Sequence, residues 1–268
     1  MSRYVLYVHP TCWSSYRVVK HLISTDLLSN EVRVVSLDHP PDDAIKHGVL
    51  SVPLLASEGE ALATDPLKPE LVAALLRGGD TRPYVPRNVE EAYERLVKTV
   101  LASSYMLSVL LVHEDLGVIA RTGFLRLAAR TGLGGVREGE LLNEVVSRGD
   151  ELLSKIRVKG PKALAYGFVR ELYWVSGPNI EDALASVNAS LIGAWLLAKV
   201  SVGRAGIPLP QNLGRVREVS RKVTSVLLSE SKQVIDYVVK EQETILRDEE
   251  YLNAIKSCAR TPRNAGAK

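Results

Sequence analysis

The sequence predicts an α/β fold over residues 1–80 and an all-helical fold over the remainder. In the first part, short β-rich runs alternate with stretches of helical spacing. Beyond residue 88 no convincing strand is found, and apolar residues recur at the intervals of three and four that mark one face of a helix. Glycine and proline residues at 78–86 separate the two parts.

The first part predicts the element order β-α-β-α-β-β-α. Strands are expected at residues 4–8, 31–37, 52–56 and 61–63. Helices are expected at residues 11–24, 42–47 and 65–76, the last opened by Asp65 and Pro66. Because a helix crosses between the first two strands, we expect them to be parallel. Glu58 and Gly59 predict a tight turn that makes the last two strands an antiparallel hairpin.

The second part predicts helices only, after a linker at residues 81–87. Asn88 is expected to cap the first helix, with Glu91 three residues later as in a capping box, and this helix should reach residue 113. Further helices are expected at residues 116–131, 137–157, 161–175, 179–201, 212–247 and 248–257. We therefore place an all-α domain at residues 88–258 and a basic tail, expected to be flexible, at residues 259–268.

Composition and charge limit the class of protein. The chain has 268 residues, 46% hydrophobic and 24% charged, which excludes a disordered or collagen-like chain. Residues 1–80 hold 7 Lys/Arg against 10 Asp/Glu (net −3) and the remainder 27 against 21 (net +6), which supports two units. The basic excess is spread along helices, so no nucleic-acid partner is expected. Cysteine, methionine and glutamine are scarce, as is typical of heat-resistant proteins.

The hydropathy pattern predicts a cytoplasmic protein without a membrane partner. No apolar run approaches the roughly 20 residues that a membrane helix needs. The apolar run at residues 4–8 is too short for a secretory signal. The two cysteines, Cys12 and Cys258, lie at opposite ends of the chain, which excludes a disulfide framework and a four-cysteine zinc site. The histidines have no ligand-like spacing, so no metal is expected either.

Cys12 is the candidate nucleophile because it lies where the first strand passes into the first helix. A helix N-terminus offers unpaired N–H groups and the positive end of the helix dipole, and both favour a thiolate. Ser15, one turn later, is expected to donate a hydrogen bond to that thiolate. His9 is a candidate cation for lowering the pKa of Cys12, and Trp13 is expected to be an exposed lid beside it. The alternative is a buried structural cysteine.

Residues 7–22, the element order and the pair Val52 and Pro53 together resemble the thioredoxin/glutaredoxin superfamily. In that family the nucleophilic cysteine opens the first long helix in a Cys-x-x-Cys or Cys-x-x-Ser motif, and a cis-proline before the third strand faces it. Cys12 and Ser15 match the Cys-x-x-Ser form, and Pro53 matches the cis-proline. The resemblance covers residues 1–80 and implies a thioredoxin-like α/β domain.

The serine at position 15 limits the chemistry that this resemblance implies. Without a second cysteine in the motif, Cys12 can form a mixed disulfide but cannot close an internal one. Release would then need an external thiol or Cys258, which we interpret as an incidental residue. The implied partner is a protein or small-molecule disulfide or thiol, with Pro53 positioning an extended substrate strand.

The order of the two domains resembles that of the glutathione transferases. In that family the backbone before the cis-proline binds the cysteinyl group of glutathione, and residues at the start of the third helix bind its γ-glutamyl end. The resemblance implies Val52 for the first contact and Thr64 with Asp65 for the second. The family's usual acidic residue and serine are replaced here by Thr64, Asp65 and Pro66. No cofactor is predicted; a low-molecular-weight thiol stays open as ligand, and a homodimer as assembly.

Three functions follow from these observations. The leading hypothesis is monothiol thiol–disulfide exchange through Cys12. The second is a non-catalytic binding or scaffolding protein that uses the same groove and the helical domain. The third is a transferase that conjugates a small thiol to an electrophile. The sequence leaves open whether the protein is an enzyme.

Overall fold

The structure is a computed structural model that describes residues 3–28, 31–37, 51–177, 179–204, 207–209 and 212–259. For residues 257–259 it describes the backbone only. The helix expected at residues 42–47 and the tail beyond residue 259 lie outside the described residues. We call residues up to 80 the α/β part and residues from 88 onward the helical part.

Four strands form one mixed sheet: β1 (Tyr4–Val8), β2 (Val32–Ser36), β3 (Leu54–Ser57) and β4 (Glu60–Thr64), in the spatial order β2-β1-β3-β4. Strand β1 pairs in parallel with β2 and antiparallel with β3, and β3 pairs antiparallel with β4. The parallel pair and the hairpin predicted from the sequence are thus confirmed. Glu58 and Gly59 at the hairpin turn have φ values of 50° and 83°, in the left-handed region that such turns require.

Outside the strands, the described residues form helices, loops and two short 3₁₀ turns. The helices are α1 (Trp13–Ser24), α2 (Pro69–Leu76), α3 (Val89–Ala102), α4 (Ser104–His113), α5 (Gly117–Arg121), α6 (Phe124–Ala129), α7 (Glu138–Ser147), α8 (Gly149–Ser176), α9 (Ile180–Ala185), α10 (Ala189–Gly203), α11 (Leu213–Arg247) and α12 (Glu249–Ala259). The described chain is therefore an α/β part followed by helices, as the sequence predicts.

Helix α2 begins later than predicted. The sequence placed its start at Asp65, but the Asp65–Pro66 peptide bond is cis and the helix begins at Pro69. Proline is favoured at the first helical position, where its missing N–H would have no partner in any case. Asp65 consequently lies in the loop between β4 and α2.

Four predicted helices are each broken in two, at Ser103, Gly123, Arg148 and Asn188. Ser103 and Asn188 accept hydrogen bonds from N–H groups of the helices that follow them, α4 and α10. Gly123 has a φ of 69° and separates α5 from α6. Conversely, α8 runs through Pro161, where the sequence predicted a break. Packing against neighbouring helices outweighs the local preference there, since Pro161 is buried.

Helix α4 forms the centre of the helical part. Every residue from Met106 to Val112 is buried, so α4 shows no polar face. It packs against α3, α8, α10 and α11. Within the described residues no single helix is long and apolar enough to span a membrane; α3 and α4 reach that length only as a pair, bent by 98°.

The core of the α/β part contains side chains from the far end of the chain. Ile245 of α11 and Tyr251 and Ile255 of α12 are buried in the same apolar cluster as Leu6 and Val19. Helix α12 packs against β2 and α1. The last two helices therefore return to the sheet and close its core.

Candidate thiol site

A cleft of about 960 Å³ lies between the α/β part and the helical part, and Cys12 lines it. The α/β part contributes His9, Thr11, Cys12, Trp13, Ser14, Leu37, Ser51, Val52 and Asp65 to its wall. Among the residues from the helical part, the charged and aromatic ones are Tyr105, Tyr166, Arg170, Glu171, Lys199, Tyr237 and Glu241. A chemically mixed site is thus built from segments that lie far apart in sequence.

Cys12 is the N-cap residue of α1, with extended backbone angles and a half-buried side chain. Its carbonyl oxygen accepts a hydrogen bond from the Tyr16 N–H at 2.9 Å, which starts the helix. Its Sγ lies 3.5 Å from the carbonyl oxygen of Val52, and the Val52–Pro53 peptide bond is cis. The thiol therefore faces the turn that precedes β3.

Ser15 lies beside the sulfur and is fully buried. Its backbone N–H and its hydroxyl both hydrogen-bond Cys12 and lower the pKa of the thiol. The same hydroxyl oxygen accepts a hydrogen bond from the His9 N–H at 3.3 Å. Ser15 therefore ties the end of β1 to the first turn of α1, next to the sulfur.

The balance of forces raises the pKa of Cys12 above its usual value. Burial is the largest cause, and the negative charge of Asp65 adds to it. The hydrogen bonds from Ser15 and the positive charge of Arg170 act in the opposite direction and are outweighed. This direction is opposite to the lowered pKa that the sequence predicted for Cys12.

His9 was the cation expected to act on Cys12, but its imidazole binds Thr11. The Nδ1 atom lies 2.8 Å from the Thr11 hydroxyl and accepts the Thr11 N–H at 3.3 Å. The cation that lowers the pKa of Cys12 is Arg170 of α8. Nothing in the sequence pointed to Arg170, because 158 positions without a shared motif separate it from Cys12.

Arg170 is held in place by Glu241 of α11. Its Nε and Nη2 donate to the two carboxylate oxygens at 2.8 and 3.2 Å, a paired geometry that fixes the guanidinium plane. Glu241 is only 4% exposed. Tyr237 also hydrogen-bonds this carboxylate, and its ring packs edge-on against Tyr166.

Asp65 faces the thiol from the sheet side of the cleft. Burial, the largest cause, raises the pKa of its carboxyl. Hydrogen bonds from the Ser14 hydroxyl and the Leu67 N–H and the charges of Arg170 and Arg17 act against that rise. Asp65 is the carboxylate that disfavours ionisation of Cys12.

Thr64 does not serve as the ligand contact that the glutathione transferase resemblance implied. It is buried, and its hydroxyl donates to the carbonyl oxygens of Ser51 at 3.1 Å and Pro53 at 3.2 Å. Pro53 is buried as well, whereas Ser51 and Val52 line the cleft. Thr64 thus fixes the turn that faces Cys12, and the adjacent Asp65 is the residue that meets the cleft.

Trp13 and the loop before α1 are fixed by further contacts. Trp13 is half-buried and stacks on Tyr16, with ring centroids 5.1 Å apart. It therefore lines the wall of the cleft and is not the exposed lid that the sequence predicted. Gln242 donates from Nε2 to the Thr11 carbonyl at 3.2 Å, and the Tyr251 hydroxyl donates to the Pro10 carbonyl at 3.1 Å. The C-terminal helices therefore hold the loop that carries Cys12.

The Cys12 thiol, the Arg170 guanidinium and the Asp65 carboxyl all line this cleft. Across the described part of the chain, no group of three or more His, Cys, Asp or Glu side chains is arranged to hold a metal ion. Cys258 belongs to α12, and its side chain lies outside the described residues.

Comparison of the chain with protein-family models, with curated proteins and with solved structures finds no match in any of the three. The chemistry of the cleft around Cys12 is therefore the basis for assigning a function.

Proposed function

We propose that the protein carries out monothiol thiol–disulfide exchange through Cys12, in a thioredoxin-like α/β domain. Several features support the domain assignment: the strand order β2-β1-β3-β4, a helix that begins right after β1, and a cysteine at its N-cap. The main observation in support of this function is that the Cys12 Sγ atom lines the cleft and lies 3.5 Å from the Val52 carbonyl oxygen. A substrate strand or small molecule can be held against that carbonyl while its disulfide meets the thiol.

The exchange proceeds in two balanced steps. The Cys12 thiol first loses its proton to solvent. The resulting thiolate attacks a disulfide R–S–S–R′, so that a Cys12–S–S–R bond forms while R′S⁻ leaves and takes up a proton from solvent. Ser15 occupies the position of a resolving cysteine, so a low-molecular-weight thiol must attack the mixed disulfide in the second step. That attack releases the new disulfide and returns Cys12 as thiolate.

The experiment uses the neutral probe 4,4′-dithiodipyridine on the full chain with Cys258→Ser. We expect one thiopyridone to be released per protein, an adduct on Cys12 by peptide mass, and repeated turnover when mercaptoethanol is added. Cys12→Ser in the same background should release none. A Cys12 that stays unmodified in the folded protein at pH 9 would overturn the proposal.

The raised pKa of Cys12 favours a second candidate, a binding role in which the thiol only lines the cleft. A protonated, half-buried cysteine behaves as a small apolar group. In that case Cys12→Ser should leave every binding partner and cellular phenotype unchanged. Loss of either with Cys12→Ser, in a variant that melts at the wild-type temperature, would favour exchange.

A further inference from the structure

We propose that Arg170 makes the cleft selective for low-molecular-weight disulfides that carry a carboxylate near the sulfur atoms. The inference rests on the proposed exchange at Cys12 and names its substrate class. Two observations support it: the enclosure of Cys12 by the helical part, and the donors that Arg170 has free.

The enclosure of Cys12 favours a small molecule over a folded protein. The sulfur opens into a cleft of about 960 Å³ whose other wall comes from α8, α10, α11 and the junction of α3 and α4. This volume matches the upper range of small-molecule sites, about 300–1,000 Å³. A disulfide inside a folded protein would have to bring its flanking backbone past these helices.

Arg170 has donors available on the edge that Glu241 does not occupy. A guanidinium has five N–H donors, and Glu241 takes two of them, from Nε and Nη2. Among the described residues no acceptor binds Nη1 of Arg170. The edge formed by Nη1 and the second N–H of Nη2 matches the two oxygens of a carboxylate.

Among the described residues, Lys199 is the other lysine or arginine that lines the cleft, and it is already engaged. Lys199 forms an ion pair with Glu171, and its ammonium lies over the rings of Tyr105 and Trp195, 4.6 and 5.5 Å from their centroids. Its side chain is 11% exposed. Of the two cations, Arg170 is therefore the one placed to receive an anionic group, and its charge also reaches Cys12.

Asp65 opposes Arg170 from the sheet side of the cleft, so net charge alone does not favour an anion. The selectivity must come from paired hydrogen bonds to Arg170. A variant that replaces both Arg170 and Glu241 by neutral residues leaves the net charge of the cleft unchanged. If the paired hydrogen bonds to Arg170 cause the selectivity, this variant should still lose it.

The experiment measures the rate at which Cys12 forms a mixed disulfide with matched aliphatic probes, in full-length protein with Cys258→Ser. The probes are 3,3′-dithiodipropionate (anionic), 2-hydroxyethyl disulfide (neutral) and cystamine (cationic). Each rate is divided by that of mercaptoethanol with the same probe. Any change at Arg170 also alters the thiolate fraction of Cys12. That fraction affects the rates with the anionic and the neutral probe equally, so it cancels in the ratio of the two rates.

We expect this ratio to be well above one in the parent protein. It should fall about tenfold in Arg170→Gln with Glu241→Gln, the loss expected for a hydrogen bond to a charged group. The double variant avoids leaving Glu241 buried and unpaired. Arg170→Lys keeps the positive charge but lacks the planar guanidinium that binds two oxygen atoms at once. It should therefore lower the ratio as well, and it provides the test if the double variant does not fold. Arg157→Gln, also on α8 and ion-paired with Glu114, is the matched control and should leave the ratio unchanged.

Two results would overturn the inference while leaving the exchange proposal intact. One is a ratio that is the same in the parent and in both Arg170 variants. The other is formation of a mixed disulfide with insulin, a folded protein, as fast as with the small probes. If no disulfide modifies Cys12, the proposed exchange itself fails.

Discussion

At the scale of single residues, a few neighbours decide whether Cys12 is a thiol or a thiolate. Ser15 and Arg170 stabilise the thiolate, whereas burial and Asp65 stabilise the thiol. The thiol form prevails because removal of solvent outweighs two hydrogen bonds and one partly neutralised cation. A raised pKa lowers the fraction of Cys12 that is present as thiolate at a given pH.

The first prediction concerns the pH dependence of Cys12 alkylation by iodoacetamide, with Cys258→Ser as background. We expect a midpoint above the roughly 8.5 of a free cysteine, since burial and Asp65 both raise the pKa. Asp65→Asn should move the midpoint down because a negative charge is lost. Ser15→Ala should move it up because a hydrogen bond to the thiolate is lost.

Each of these shifts has an outcome that contradicts it. A parent midpoint at or below 8.5 would mean that the helix N-terminus outweighs burial after all. Unchanged midpoints in both variants would show that neither Asp65 nor Ser15 acts on the sulfur.

At the scale of elements, the contact between α10 and α4 depends on one glycine. A Cβ atom added to Gly203 would lie 2.4 Å from the Tyr105 carbonyl oxygen, so the backbones of the two helices touch there. On the same helix, a Cβ on Gly193 would meet its nearest side-chain atoms at 3.8 and 3.9 Å, which is ordinary contact. The close approach places Lys199 of α10 over the ring of Tyr105 at the cleft.

The two glycines should therefore respond in opposite ways to alanine. Gly203→Ala should lower the free energy of unfolding by about 1–3 kcal/mol, because the helices must separate. Gly193→Ala should raise it by about 0.5–1 kcal/mol, because alanine favours the helix. Urea denaturation followed by circular dichroism measures both, and a Gly203→Ala protein as stable as the parent would disprove the close contact.

At the scale of the whole molecule, the C-terminal helices are part of the α/β core. Tyr251 is fully buried in that core, and its hydroxyl donates to the Pro10 carbonyl two residues before Cys12. Asp248 binds Tyr16 and Lys20 of α1. The first and last segments of the chain consequently depend on each other.

Tyr251 provides the test of this dependence. Tyr251→Ala should destabilise the protein by about 3–5 kcal/mol through lost burial, and Tyr251→Phe by about 1 kcal/mol through the lost hydrogen bond. The larger change should also expose Cys12, so that its alkylation at fixed pH becomes faster. If Tyr251→Ala melts like the parent, α12 does not close the core as described.

Much of the fold could be predicted from local pattern. The β-rich runs, the Glu58 and Gly59 turn and the Asn88 cap each depend on neighbours within a few residues, and each is present in the structure. The helix boundaries that the sequence missed include those at Ser103 and Asn188, where a side chain caps a new helix. At Pro161 the sequence predicted a break that does not form, because packing against neighbouring helices outweighs the local preference.

By itself, the sequence determined the approximate positions of the four strands, the pairing of the first two strands and the position of Cys12 with Ser15 at a helix start. All of these follow from short-range periodicity and from chain connectivity. Only the tertiary structure decided that Arg170 and Asp65 meet at the thiol and that its pKa is raised. The physical reason is that a pKa depends on desolvation and on charges close in space, and folding alone brings those groups together.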